Sequence, residues 1–565
     1  MHWSAHGHLG FERLRGEMTT RDTMVQHITQ LPAEILHNIL GFVEPADLGR
    51  LLRTCRYLYR FVDGNAALCR DIYYRTLDEP ASNDVNWEQE LRDLVQLQRI
   101  CEVEDGLKKK ASLPFVYKTV TRLLRNATKS TPSHPRVIHS LTYPPSRNTS
   151  LLSTLLTPSA SQNPLLTSSF LFSRARGTSP PTLPPTPLPH HQQSAHLHCL
   201  YGSPILKHGR TRSSSMYPFA CSKVYDLREY TDGSMWGPFW NDGSCKVDWE
   251  KVEAVMMVIG GNIRGKGLEG FPVFENFWGR GWGGSWEGSY ITWPRKGEKE
   301  ENVCGEGCHF GDGDGDGNGN GDGEVEVEEE EEEEEAVTVL RGLKERDPFD
   351  VSGTWLRVVC FLDYNDFFNY NFPVADELPA NVPRPALDVG EAIRLILMKI
   401  HVTAIEESGN DSPIVHFTGF SRSLDGSWDD NADSDLRGTV QYTPEGEVRW
   451  TSYSIFSGEE RWKSEGVQIG GARSARGVIG NWFDKDFDPH GPCGPTAFWK
   501  ISDREARADD KQFLLHDFLP IVDGFEEDFD DHDFGAWTEE PPTLDNELGF
   551  GADLLHYPYD FGDLE

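Results

Sequence analysis

Leu31-Pro32-Ala33-Glu34-Ile35-Leu36-His37-Asn38-Ile39-Leu40-Gly41-Phe42-Val43 is the stretch on which the reading of this chain turns. Pro32 stands at a helix start, where its missing N–H costs nothing because the first amides of a helix have no internal acceptor. Apolar residues at 31, 35, 36, 39, 40 and 43 then make a helical stripe. Glu44-Pro45 ends that helix. Asp47 lies near the start of a second, with Leu48, Leu51, Leu52 and Cys55 on one face, and Tyr57, Leu58, Phe61 and Val62 begin a third. Three helices this short build too small a core to be self-sufficient. The stripe is expected to dock on another surface.

Leu-Pro-x-Glu-Ile, then Ile39-Leu40, Val43, Asp47-Leu48 and Leu52-x-x-Cys55, closely resembles the F-box, the adaptor-binding module of SCF ubiquitin ligases. The resemblance runs from Leu31 to Ile72, with the unit bounded at 27–75 behind a disordered N-terminus at 1–26. One departure is that many F-boxes carry Trp in the third helix where this chain has Leu68-Cys69. The resemblance implies a Skp1-like adaptor, and through it a cullin-RING ligase, as partner. It implies that Leu31, Pro32, Ile35, Leu36, Ile39, Leu40, Val43, Leu48, Leu51, Leu52 and Cys55 make the contact.

Charge and composition bound the rest. The 565 residues carry 54 basic and 90 acidic side chains, a net charge of −36. Such a chain repels phosphate backbones, so no nucleic-acid partner is expected. Hydrophobic residues make up 38% beside that large net charge, so part of the chain should be unfolded. No apolar run approaches the length a membrane span needs, and the first residues lack the apolar core of a signal peptide. Ten scattered cysteines fit a reducing compartment, cytoplasmic or nuclear.

Two further helical stripes, Trp87-Leu91-Leu94-Cys101 and Val116-Val120-Leu123-Leu124, define linker helices at 76–125. Residues 126–193 are rich in Ser, Thr and Pro, including Ser179-Pro-Pro-Thr-Leu-Pro-Pro-Thr-Pro-Leu-Pro189, and are expected to be disordered with local polyproline II character. This segment lies within Gly106 to Tyr225, which holds 15 Lys and Arg and no acid. From 194 the texture is β-rich, over 194–295 and again over 346–502, around a disordered Gly/Asp/Glu insert at 296–345. Strands are expected at Met256–Ile259, Thr354–Asp363, Ile414–Phe420, Gly438–Tyr442, Val448–Phe456, Gly466–Ile469, Gly477–Phe483 and Ala497–Ile501. Ile393–Ile405 is open between strand and helix. Thr443-Pro-Glu-Gly-Glu447 reads as a hairpin turn.

Gly353-Thr-Trp355 and Gly480-Asn-Trp482 resemble the Gly-x-Trp placement of lipocalin-like barrels. Ser194–Gly202, Lys223–Tyr230, Trp355–Tyr364 and Arg473–Gly491 look like a group of fungal F-box proteins, whose C-terminal domain is similar to that of vertebrate F-box-only protein 31. The fold class expected is therefore multidomain α+β. An all-α F-box and linker helices precede a mostly antiparallel, lipocalin-like β-barrel with disordered insertions. The resemblance implies a receptor for a protein substrate, without a residue-level pocket.

Trp236 and Trp482 are candidates to line a peptide groove, and Arg357, Arg449, Arg473 and Arg476 to meet an acidic or carboxylate-bearing degron by bidentate pairing. A second reading makes the barrel a small-ligand carrier whose F-box serves its own turnover. A third puts a metal on Asp484, Asp486, Asp488 and His490, although Asp488–Pro492 reads first as a polar loop at a barrel mouth. Asn318–Glu329 imitates a calcium loop but lacks Asp at its first position and a flanking amphipathic helix. Cys304, Cys308 and His309 lack a fourth zinc ligand. No metal, cofactor or catalytic motif is expected. The tail, 503–565, has 16 acids and no base after Lys511, interleaved with aromatics. It is expected to be disordered, and either to dock on a basic, apolar-lined surface, on a partner or on the acid-free segment itself, or to serve as an inert solubilising tail.

Overall fold

In the computed structural model, the residues described run from 28 to 504, apart from 81, 83, 128–145, 158, 185, 208–214, 275–277, 280, 291–341, 374–377, 408–411 and 425–432. They form two units: residues 28–75 with 86–92, and 76–85 with 93–504. The N-terminal segment at 1–26, most of the acidic insert and all but the first residues of the tail lie outside the described residues, as do the calcium-like loop and Cys304, Cys308 and His309.

In the first unit, α1 (Ala33–Leu40) follows Pro32, and α2 (Pro45–Leu51) starts on the proline that stops α1. The expected third helix is two. α3 (Arg56–Val62) stops before Gly64, whose φ of +70° an L side chain resists, and α4 (Ala66–Thr76) restarts after Asn65. The Asn65 carboxamide caps both: its Oδ1 accepts from the Leu68 N–H and its Nδ2 donates to the Phe61 carbonyl. Leu36, Leu40, Leu48, Leu58, Val62, Leu68, Cys69, Ile72 and Tyr73 form the buried interior. The ring of Trp87, the first residue of α5 (Trp87–Glu102), stands 5.2 Å edge-on from that of Tyr73.

The second unit contains a closed eight-stranded barrel, each strand antiparallel to the next and β8 returning to β1. The strands are β1 (Gly353–Leu362), β2 (Glu391–Glu406), β3 (Ile414–Ser423), β4 (Asp433–Tyr442), β5 (Val448–Phe456), β6 (Glu459–Gln468), β7 (Val478–Asp484) and β8 (Cys493–Ser502). The open case, Ile393–Ile405, is strand. Thr443–Glu447 turns between β4 and β5, with Gly446 at φ +86°. Alternation sends every second side chain inward. At one end these side chains pack as an apolar plug around Trp355, Met398, Phe417, Trp450 and Phe498, closed by Phe349, Val351 and Ala472 from the loops.

The described part of residues 194–295, expected to be β-rich, holds helices joined by loops and no strand of the sheet. Met256–Ile259 lies inside α13 (Trp249–Gly265), capped by the Asp248 side chain. Every residue from Trp249 to Gly260 except Glu250 is buried, because α13 packs on α11 (Pro189–Tyr201), on α12 (Tyr217–Val224) and on the outer faces of β1, β7 and β8. A helix covered all round has no polar face, so its run of apolar residues mimics a buried strand. The Ser/Thr/Pro-rich segment is also built differently from expectation. It forms α8 (Arg147–Leu156), α9 (Ser159–Leu166) and α10 (Phe170–Ala175), which bury Leu152, Leu156, Leu165, Phe170 and Phe172. Ser146 caps α8, so the serines serve as helix starts as well as linker. The linker helices are α5, α6 (Gly106–Ala111) and α7 (Leu113–Arg125).

One polar knot ties this helical layer to the barrel. Glu391, on the outer face of β2, accepts from the Tyr217 and Tyr225 hydroxyls and from Asn262 Nδ2 at 2.7 Å. In Glu391→Ala the buried Tyr225 hydroxyl loses its acceptor, while Tyr217 keeps Asn262 Oδ1 at 3.2 Å and Asn262 Nδ2 keeps the Val258 carbonyl at 3.1 Å, so a loss of about 1–3 kcal/mol is expected in urea unfolding. Glu250, in the first turn of α13, accepts the Phe170 N–H at 2.6 Å. Burial, aided by the charge on Asp248, pushes its carboxyl up to about 8. A raised acid pKa favours the protonated folded form, so its stabilising effect is complete below 4.5 and lost as pH rises to about 8. Against Glu250→Gln, the wild type should lose thermal stability across that window. Parallel pH profiles would contradict the assignment.

Candidate functional site

The adaptor-contact candidates divide by burial. Leu36, Leu40 and Leu48 point into the helical core, while Leu31, Val43, Leu51 and Leu52 are half-buried. Pro32, Ile35, Ile39 and Cys55 are exposed. The stripe thus serves two surfaces. Its inner half holds α1 to the other helices, and its outer half leaves Ile35 46% and Ile39 43% exposed. Phe42 extends this outer face at 74% exposure. It was not among the candidates, although it follows Ile35 and Ile39 at helical spacing. The Arg75 guanidinium lies 3.6 Å over the Phe42 ring and donates to the Gly41 carbonyl at 2.6 Å. His37 Nε2 meets Asp71 at 2.8 Å, and that hydrogen bond holds the Asp71 carboxyl below its ordinary value. Both ties run between α1 and α4, so an exposed apolar face sits on a braced helix.

The substrate candidates scatter, and only Arg357 and Trp482 share the barrel lumen. Arg357, midway along β1, reaches Thr496 Oγ1 on β8 at 3.0 Å and Ser464 Oγ on β6 at 2.6 Å. β1 and β6 are not neighbours, so that second bond crosses the lumen. The side chain is buried, and no carboxylate lies within 4.0 Å among the described residues. Burial brings its guanidinium down to about 10. Around it the inward face is polar: Ser421 and Ser434 share a hydrogen bond, with Ser423, Ser464 and Thr496 nearby in register. The Trp482 ring meets Trp462 edge-on at 5.3 Å, and its Nε1 donates to the Cys360 carbonyl.

The other four have different work. Arg449 lies on the outer face, paired through both nitrogens with the fully buried Glu465 at 2.8 and 2.9 Å, so it is committed to that partner. Arg476 is buried against Ser285 Oγ and the Tyr201 carbonyl. Arg473 sits in the β6–β7 loop at the plugged end, 3.8 Å from Asp350. Trp236 packs outside the barrel against Phe483 and Phe487.

The barrel end opposite the plug carries exposed aromatics. Tyr364 and Phe368 protrude from α14 (Tyr364–Asn371), which follows β1 directly, and Phe487 from the β7–β8 loop. The ring of His490 in the same loop lies tilted against that of Phe372, 4.8 Å between centroids. This is the loop carrying Asp484, Asp486, Asp488 and His490. Asp484 and Asp488 accept backbone amides of the loop itself, and no cluster of three metal-ligating side chains occurs among the described residues. Nor, among them, is any helix long and apolar enough to cross a membrane.

Residues 28–75 match the family model described as F-box-like. The chain therefore carries an F-box-like domain, of the kind that binds Skp1-like adaptors in cullin-RING ligases. No match is found among curated proteins or among solved structures.

Proposed function

We propose that this chain is a substrate-recognition subunit of an SCF-type ubiquitin ligase. The F-box-like unit holds a Skp1-like adaptor, and through it a cullin-RING ligase, while the barrel holds a protein substrate. The observation that carries this reading is the exposed apolar face Pro32, Ile35, Ile39 and Phe42 within residues that match the F-box-like model. A cytoplasmic or nuclear setting, and kinship with the fungal group whose barrel resembles that of vertebrate F-box-only protein 31, belong to the same proposal.

Such a subunit needs no catalytic group. It acts by raising the local concentration of acceptor lysines beside a charged transfer enzyme. The lumen chemistry supports an acidic or carboxylate-bearing degron: Arg357 offers a buried cation without a carboxylate partner among the described residues, and the aromatics at the open end offer apolar contact. A lipophilic carrier calls for an apolar lumen, and serines on β3, β4 and β6 argue against that reading. Co-expression with a Skp1-type adaptor should return a stoichiometric complex that Leu31→Ala with Pro32→Ala abolishes. Failure of the wild-type chain to capture the adaptor would refute it. Comparing ubiquitylated proteins with and without the chain then identifies substrates.

A further inference from the structure

Outside the barrel lumen, a cleft of about 570 Å³ is built from residues 170–191, 222–250 and 380–384. Phe170, Leu183, Pro184, Pro187, Phe239 and Trp240 make its apolar walls. The proline-rich segment is fastened there, with the Leu183 N–H donating to the Asn381 carbonyl at 2.6 Å. What looked like a linker is one side of a cavity, of a size that suits a small molecule.

The charges lining this cleft do not cancel. Asp226 is shared by two guanidiniums, Arg228 at 2.6 Å and Arg384 at 3.0 Å. Lys223 lies between Glu229 at 3.6 Å and Asp248 at 3.5 Å. Arg174 donates only to uncharged oxygens, Ser222 Oγ at 3.0 Å and the Arg384 carbonyl, and has no carboxylate within 4.0 Å among the described residues. Four cations thus face Asp226, Glu229 and Asp248. Burial pushes the Glu250 carboxyl up to about 8, which favours its neutral form, and Asp242 stands on an exposed turn where water screens it. Two lining residues, His191 and Trp240, each carry a ring nitrogen without a hydrogen-bond partner, Nδ1 and Nε1. His191 is itself 8% exposed.

We propose that this cleft is a second ligand site, taking a small organic monoanion: a carboxylate on a flat apolar body, with the anion on Arg174 and the body against the aromatic and proline walls. The site is separate from the degron-binding lumen, so it gives the receptor a small-molecule input in addition to its protein substrate. A neutral ligand leaves the excess cation unmatched, and a dianion overfills it.

Calorimetry on the full chain purified with its adaptor tests this, using aryl carboxylates from benzoate to 4-phenylbutyrate and naphthoate beside their amides. At least one acid should bind, with its amide about tenfold weaker or more. Arg174→Gln should lose that preference, Arg174→Lys should keep part of it, and Trp240→Ala should weaken acid and amide alike. Arg357→Leu, in the lumen, should leave the titration unchanged. Binding by none of the acids at millimolar concentration overturns the proposal. So does an acid preference that survives Arg174→Gln or disappears with Arg357→Leu.

Discussion

Replacing Ile35 and Ile39 together by Asp is expected to abolish adaptor capture and to leave the helical unit folded. Both side chains are nearly half exposed, so the fold draws little from them. Buried at an interface, each apolar side chain contributes about 1.5–3 kcal/mol, and a carboxylate there adds a desolvation cost. The affinity loss is therefore about 100-fold or more. Leu36→Ala is the informative contrast. Leu36 is fully buried, so its truncation costs about 2–5 kcal/mol of stability and reduces capture by loosening the unit. Circular dichroism beside a pull-down separates the two effects. Native binding by a folded Ile35→Asp/Ile39→Asp variant would move the adaptor to another face. Phe42→Ala should weaken capture in the same way as the isoleucine changes, by a smaller factor.

The second large effect is expected inside the barrel. An Arg357→Leu chain should melt at or above the wild-type temperature and no longer hold its substrate. A buried cation without a carboxylate partner carries a desolvation penalty of several kcal/mol, and its two hydrogen bonds to hydroxyls repay part of it. Thr496 keeps a partner without Arg357, since its hydroxyl donates to the Val358 carbonyl at 3.0 Å. Only Ser464 loses one. Substrate loses the group that would pair its acidic moiety, an effect of about 2–5 kcal/mol for a buried charge pair. A lower melting temperature with intact substrate capture would mean that Arg357 only braces β1 against β6 and β8. The measurements are thermal unfolding and recovery of ubiquitylated substrate from cells carrying each form.

The barrel strands were legible because most have one face against the lumen and the other against solvent or a helix, so alternation and turn residues survive in the sequence. The F-box helices were legible for the same reason, through the spacing of Leu31, Ile35 and Ile39. Helix α13 was not, because burial on all sides erased the period that separates a helix from a strand. Helices α8 to α10, of which α8 is capped by Ser146, were hidden by composition: Ser and Pro serve helix starts as well as loops, and only tertiary contact of Leu152, Leu165 and Phe172 decides between them. At the site, residue type found Arg357 but equally nominated Arg449. Nothing local in the sequence reveals that Glu465, sixteen positions on, has already claimed the second.

Barrel closure has a mechanical side. β8 is the closing strand of the barrel, and it is clasped on both flanks, by β7 and by β1. A pull applied to the chain beyond Arg504 is borne first by those two ladders, and nothing yields until β8 slides or peels. Once it leaves, β1 loses a partner, the seam opens, and water reaches the plug and the Arg357 layer together. Such a domain resists unravelling from its C-terminal end up to a threshold and then gives way in one event. For a chain that works as proposed, beside a ubiquitin ligase, that is a useful temper.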